Sequence, residues 1–249
     1  MIKKYLIFSD SHLSANEEPN SSYSLFKEVC KKVRPNIIVC LGDLINFEYI
    51  GKFSDIGSAE GCRIKDDIEL FRNEFKFFKK CVKDEVIFLS GNHEDRLSRL
   101  FNSQPVLKGI VSIETVCEEL GVKYIPTEEQ PYKLLEDLYV THGICTNKNF
   151  TQKMATEVSE NIISGHCHRT QSYVLSYPSG RIVKSFGIGS LTEYTESYCK
   201  GKRVTGHSNS VAELFLDEES GYWQLNTIMI ENQKCIVNGK LYTLETPSI

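Results

Sequence analysis

No stretch of this sequence approaches the roughly 18 apolar residues that a membrane-crossing helix needs, so a membrane partner is not expected. Internal repeats and low-complexity tracts are missing too, and no Pro-, Gly-, Ser- or single-charge-rich run is long enough to act as a linker. One domain over residues 1–249 is therefore the expectation. Positive charge is in short supply: 29 Lys and Arg stand against 33 Asp and Glu, for a net charge of −4. A chain that coats nucleic acid draws most of its non-specific affinity from phosphate neutralisation, so that role is disfavoured, whereas a local basic site is not. Lys3 and Lys4 precede an apolar run that stops at Asp10, too soon for a signal peptide. The nine cysteines are an odd number and contain no Cys-x-x-Cys pair, which reads as free thiols in a reducing cytoplasm.

Histidine is also scarce, and its placement is the most informative feature of the chain. Of six histidines, five sit in turns that directly follow apolar, β-forming runs. Tyr5-Leu6-Ile7-Phe8 leads into Ser9-Asp10-Ser11-His12, and Ile37-Ile38-Val39-Cys40-Leu41 into Gly42-Asp43. Val86-Ile87-Phe88-Leu89 leads into Ser90-Gly91-Asn92-His93-Glu94, Leu138-Tyr139-Val140 into Thr141-His142-Gly143, and Ile162-Ile163 into Ser164-Gly165-His166-Cys167-His168. Strand ends of open α/β sheets are where ligands and chemistry collect.

Periodicity supplies the frame. A helix over 23–33 is stopped by Pro35 and, with its flanking runs, makes a βαβ unit that sets Asp10, His12 and Asp43 side by side at one sheet edge. Ile68, Leu70, Phe71, Phe75 and Phe78 predict a crossover helix over 65–80; the irregular stretch 46–61 before it reads as a substrate-facing loop or a contact surface. Leu97, Leu100 and Phe101 put a helix after the central turn, 113–120 reads as a helix closed by Gly121, and 124–126 as a short strand. Strands are then expected at 132–135, 138–141, 162–164, 172–176, 182–186, 211–216, 222–230 and 240–244, with one helix over 151–158. The expected architecture is α/β: βαβ units, then a largely antiparallel sheet, the two sheets face to face with helices outside.

Residues i and i+2 of a strand share a face, so Asp10 with His12, and His166 with His168, each present two ligands on one side. With Asp43, Asn92 and His142 they make seven ligand-type groups, too many for one tetrahedral metal and suited to two five- or six-coordinate ions. A mixed imidazole, carboxylate and amide set fits Mn, Fe, Zn or Ni better than Mg or Ca. Two such ions outweigh the charges of Asp10 and Asp43 and would attract a phosphate. Ions about 3.5 to 4 Å apart share a hydroxide that attacks phosphorus, and His93, beside the ligand Asn92, is placed to protonate the leaving oxygen.

Asp10-x-His12, Gly42-Asp43, Gly91-Asn92-His93-Glu94, His142-Gly143 and Gly165-His166-x-His168, in that order, resemble the calcineurin-like metallophosphoesterase superfamily. The resemblance implies a four-layer α/β/β/α sandwich. It also implies one ion held by Asp10, His12, Asp43 and His168 and another by Asp43, Asn92, His142 and His166, with Asp43 bridging. Where the protein phosphatases of that superfamily carry an Asp and two Arg around the site, this chain has Asn46, Phe47 and Ser90. The resemblance is nearer to small phage and bacterial phosphoesterases, and Asn46 would orient His93 through its side-chain oxygen.

The expected function is a two-metal phosphoesterase, Mn first among the metals, favoured as a phosphodiesterase on a nucleotide, cyclic nucleotide or nucleic-acid end. The alternatives are a phosphomonoesterase, including a protein phosphatase, and a metal-free scaffold of the same fold, as in a retromer-like subunit. Arg96, Arg169, Asn46 and His207 are candidate substrate contacts, and Arg99 reads either as a further phosphate contact or as part of a solvated helix face. The segment 187–209, with Tyr194, Tyr198, Lys200, Lys202 and Arg203, is a candidate lid. Cys167 points away from the ligands beside it and reads as packing.

Overall fold

Alternation along the strands decides the layers. A computed structural model describes residues 1–51, 61–107, 112–143, 145–192 and 206–244. In chain order the first half gives β1 (Ile2–Phe8), α1 (Ser21–Val33), β2 (Ile37–Cys40), α2 (Ile64–Cys81), β3 (Glu85–Leu89), α3 (Glu94–Ser103), α4 (Ile113–Leu120) and β4 (Lys123–Ile125). Leu6, Phe8, Ile38, Cys40, Val86 and Phe88 face the helices, where they meet Phe26, Phe71, Phe75 and Phe78. Tyr5, Ile7, Ile37, Val39, Ile87 and Leu89 face the other way, into a second core. Both faces are buried, which is why these strands are unbroken apolar runs. Each buried phenylalanine contributes about 1.5–3 kcal/mol of transfer free energy, so the four rings fix how the helices seat on the sheet.

The second half gives β5 (Tyr132–Leu135), β6 (Leu138–Thr141), α5 (Phe150–Glu157), β7 (Asn161–Ser164), β8 (Gln171–Ser176), β9 (Ile182–Gly187), β10 (Ser210–Asp217), β11 (Trp223–Met229), β12 (Lys234–Val237) and β13 (Lys240–Thr243). Leu138, Val140 and Ile163 close the second core against the first sheet, while Ile162 faces outward to Phe150 and Met154 of α5. The layers therefore run helix, sheet, sheet, helix.

The sheets differ from a parallel half followed by an antiparallel half. The first sheet has the order β11-β10-β1-β2-β3-β4, with β10 and β11 returning to pair antiparallel beside β1. The second has the order β5-β6-β7-β9-β8, in which β6, β7 and β9 are parallel. Both are mixed. The hairpin β12–β13 turns at Asn238 and Gly239, both at positive φ as a two-residue turn between twisted strands requires; β12 is a strand the sequence pattern did not predict.

The parallel register between β1 and β2 pairs Phe8 with Cys40 and so brings the Asp10 and Asp43 turns together. Beyond the strands the Asp10 N–H donates to the Gly42 carbonyl, and the Ser11 and His12 N–H groups donate to the Asp43 carbonyl. Of the stretch 46–61, residues 52–60 lie outside the described residues; of the proposed lid, 193–205 do, with both tyrosines and all three cations. No helix among the described residues is long and apolar enough to cross a membrane.

Candidate metal centre

All seven expected ligands converge at one end of the two facing sheets, in two groups. In the first, Nε2 of His12 and Nε2 of His168 stand 3.0 Å apart, and both face Oδ1 of Asp10, at 3.8 and 3.2 Å. That oxygen is buried and has no hydrogen-bond partner among the described residues, while Oδ2 accepts the His166 N–H at 2.8 Å. In the second, Nε2 of His142 has Asn92 Oδ1 at 3.1 Å, His166 Nδ1 at 3.2 Å and Asp43 Oδ2 at 3.2 Å. The same Asp43 Oδ2 lies 3.9 Å from Nε2 of His12, so one carboxylate oxygen stands between the groups.

Such crowding of lone-pair donors is what cations between them would relieve. A buried carboxylate oxygen without a hydrogen bond costs free energy, and imidazole nitrogens 3 Å apart share at most one proton. A pair of divalent ions fits this donor set, whose mixed nitrogen and oxygen chemistry suits a transition metal. His142 is already oriented to ligate: its Nδ1–H donates to the Leu41 carbonyl at 2.8 Å, leaving Nε2 to the cluster.

Burial and charge oppose each other here. Burial raises Asp43, but the His142 and His93 charges outweigh it and hold the carboxyl below its usual range. Asp10 is likewise raised by burial and lowered further by His168 and His12, ending well below the usual range. Burial lowers His142, yet Asp43 and Asp10 overcome it and push the imidazole up to about 10. His12 goes the other way, brought down to about 4 by burial and by His93. His166 is lowered by burial and by His142.

Backbone groups hold this array. Glu94 Oε2 accepts the N–H groups of Asp43 and Gly91 at 2.9 and 3.0 Å, and Oε1 accepts that of Ile45 at 3.0 Å. One buried carboxylate thus ties the Asp43 turn to the central turn, and burial with the nearby Asp43 charge raises Glu94 to about 7. The His93 N–H donates to Asp43 Oδ1 at 2.9 Å. Gly91 is required by close approach: a Cβ there would sit 2.2 Å from Asp43 Oδ1.

His93 is oriented differently from expectation. Its Nδ1–H donates to the main-chain carbonyl of Asn46, whereas the buried side-chain oxygen of Asn46 has no hydrogen-bond partner among the described residues. The expected side-chain contact is therefore absent, and the main chain supplies the acceptor because it turns at Phe47, which is fully buried with φ 42°. Nε2 of His93 meets Nη2 of Arg96 at 3.0 Å and lies 3.9 Å from Asp43 Oδ2. A guanidinium only donates, so in this arrangement Nε2 carries the lone pair.

Of the candidate substrate contacts, Arg96 is at the centre. His207 sets its ring 5.0 Å from that of His168. Arg169 runs along Gly206, with Nε buried and unpartnered among the described residues. Arg99 is exposed and reaches back to the Asn92 carbonyl at 3.3 Å. Cys167 packs with Phe150, Met154 and Ile162, its thiol donating to the Cys145 carbonyl at 3.2 Å. Glu94 and Gln130 are structural members of the site to which sequence reasoning gave no role. An acidic residue in the first turn of a helix was the available signal for Glu94; Gln130 had none.

No curated protein sequence matches the chain. Among solved structures, a single mutant of Vps29 from Entamoeba histolytica is 11% identical, with 96% of this chain and 95% of that one covered at a TM-score of 0.46. A dimetal phosphatase from Danio rerio is 13% identical, with 87% and 93% covered, also at 0.46. The family model for calcineurin-like phosphoesterases matches residues 3–187, a span that contains every residue of both ligand groups. The chain thus belongs to the calcineurin-like phosphoesterases, metal-dependent hydrolases of phosphate esters.

Proposed function

We propose that this protein hydrolyses a phosphodiester of a nucleotide, a cyclic nucleotide or a nucleic-acid end, using two divalent transition-metal ions with Mn preferred. The observation that carries the two-ion reading is Asp43 Oδ2, placed between the His142 and His12 groups. Asp10, His12, Asp43 and His168 would hold one ion, and Asp43, Asn92, His142 and His166 the other. Such a pair supplies Lewis acidity and a water acidified toward neutrality.

The side chains do the rest. Arg96 turns from His93 to a phosphoryl oxygen and orients the substrate. His93, held at Nδ1 by the Asn46 carbonyl, would take up a proton at Nε2 once Arg96 has turned away and pass it to the leaving oxygen. No guanidinium stands at position 47 or 90 to meet a second negative charge, which favours the singly charged diester. Phe47 and Ser90 are buried where the protein phosphatases carry arginines, which disfavours that subgroup. The described cysteines are free thiols, in keeping with a reducing cytoplasm.

Arg96, a cation in contact with His93, also supports a second reading, a phosphomonoesterase, because a cation beside the proposed acid suits the additional charge of a monoester. A Mn-supplemented panel decides between them: bis-nitrophenyl phosphate, nitrophenyl phosphate, 2′,3′- and 3′,5′-cyclic nucleotides, and single- and double-stranded DNA. Preference for the monoester over every diester overturns the diesterase. Failure to turn over any ester, with no Mn uptake, favours the non-catalytic scaffold.

A further inference from the structure

The Asn92 turn hangs from β3 in the first sheet and His142 from β6 in the second, yet their ligand atoms must meet to within 3.1 Å. Gln130 spans that gap. Its Nε2 donates to the Ser90 carbonyl at 2.7 Å, two residues before Asn92, and its Oε1 accepts the His142 N–H at 2.6 Å and the Thr141 hydroxyl at 3.2 Å. A carboxamide is the side chain that offers donor and acceptor from one planar group. A carboxylate of the same size would set an oxygen against the Ser90 carbonyl, and an aliphatic chain would leave both backbone groups unpaired.

The segment carrying Gln130 is itself fastened to the central turn. Thr127 donates its hydroxyl to Asp95 at 2.8 Å, Asp95 accepts the Ser90 hydroxyl at 3.1 Å, and the Ser90 N–H donates to the Ile125 carbonyl at 2.9 Å. The other ligand group is joined by separate contacts: the His166 N–H to Asp10 Oδ2, the Leu191 N–H to the Asp10 carbonyl, and the Ser208 N–H to the His168 carbonyl. None of these involves Gln130.

We propose that Gln130 is a positioning residue that sets the separation of the Asn92 and His142 turns. It thereby controls the affinity of the Asn92–His142–His166 site for its ion without controlling that of the Asp10–His12–His168 site. This rests on the two-ion reading above. The test is calorimetric titration of metal-free protein with Mn, comparing wild type, Gln130→Met and Gln130→Glu, with folding checked by circular dichroism. Partners of this outer kind are worth about 10–100-fold in metal affinity, so Gln130→Met is expected to weaken one of two sites by that factor and to leave the other within about 3-fold. Gln130→Glu keeps the acceptor for His142 but sets an oxygen against the Ser90 carbonyl, so it is expected to weaken the same site and to spare the other; it also provides the reading if the Met variant does not fold. Equal weakening of both sites, the mark of a merely structural tie, or no change in either overturns the proposal. If wild type itself binds fewer than two ions, the two-ion reading has failed first, and the proposal with it.

Discussion

Truncating Asn46 to alanine separates two ways of orienting the acid. Were the side-chain oxygen the acceptor for His93, its loss would let the imidazole turn and forfeit much of the 10²–10⁴-fold that general acid catalysis contributes. In the structure the acceptor is the Asn46 main-chain carbonyl, which alanine retains. Turnover of an ester with an alkoxide leaving group is therefore expected to stay within about 3-fold of wild type. Stability is nearly balanced as well. Removing a buried, unpartnered oxygen relieves about 1–3 kcal/mol, and the small cavity left behind costs a comparable amount. The net is about 1 kcal/mol of either sign, or about 2–4 °C in Tm for a chain of this size. The measurements are steady-state kinetics of the Mn-loaded enzyme on alkoxide and nitrophenolate esters, with differential scanning calorimetry. A fall of about 30-fold or more on the alkoxide ester alone, with Tm unchanged, would refute main-chain orientation.

Asp43→Asn should abolish turnover and lower metal content to one ion or fewer by elemental analysis, because the shared oxygen loses its charge; full activity would rule out the mechanism. His93→Asn should keep both ions and lose most turnover on poor leaving groups, but far less on nitrophenolate esters, which depart unprotonated; equal losses contradict its role as acid. In the metal-free protein His142 is raised from its usual range to about 10, so its contribution to stability is complete below about pH 6.5 and drains away as pH rises toward 10. Metal must displace that proton, while His12 and His166 are held low and already neutral. Uptake at pH 8 is thus expected to release about one proton and to tighten with pH; calorimetry in two buffers of different ionisation enthalpy measures it, and no release would exclude a protonated His142.

Helices and strands were legible where the pattern is local. The period of α2 and the glycine closing α4, at φ 63°, need nothing from the rest of the chain. The destination of β10 and β11 was not legible, since turns tell that strands run in series but not that the open edge of β1 will receive them. The five candidate turns could be found because each joins an apolar run to at least one side chain of ligand type. Their supports could not: the carbonyls of Asn46 and Leu41 are the same in every residue, and Gln130 is identified only by the two turns it happens to span. Arg96 was legible as a cation on α3, but not as a donor to His93, because one turn of helix sets the approach and a flexible side chain decides the contact.

Strand alternation is an incomplete reason for pairing Asp10 with His12 and His166 with His168. β1 ends at Phe8 and β7 at Ser164, so neither Asp10 with His12 nor His166 with His168 lies in a strand. Both members of each pair, and Asp43, sit instead in the left-handed region, with φ of 54° and 46°, 67° and 52°, and 50°. Left-handed, intervening, left-handed backbone also turns alternate side chains to one side, which is why Cys167 between the histidines faces the α5 core. The conformation costs of order 1 kcal/mol or more per residue, a sum comparable with the net stability of a domain. It persists because the backbone groups it exposes are bonded: the Asp43 carbonyl takes two N–H donors, the Gly42 carbonyl takes that of Asp10, and Asp10 Oδ2 takes that of His166. Glycine at any of these positions would relax the backbone and remove a candidate ligand. Local stability and the proposed ion binding therefore oppose each other at the same five residues, and it is the facing sheets, through their buried apolar cores, that supply the stability the turns give up.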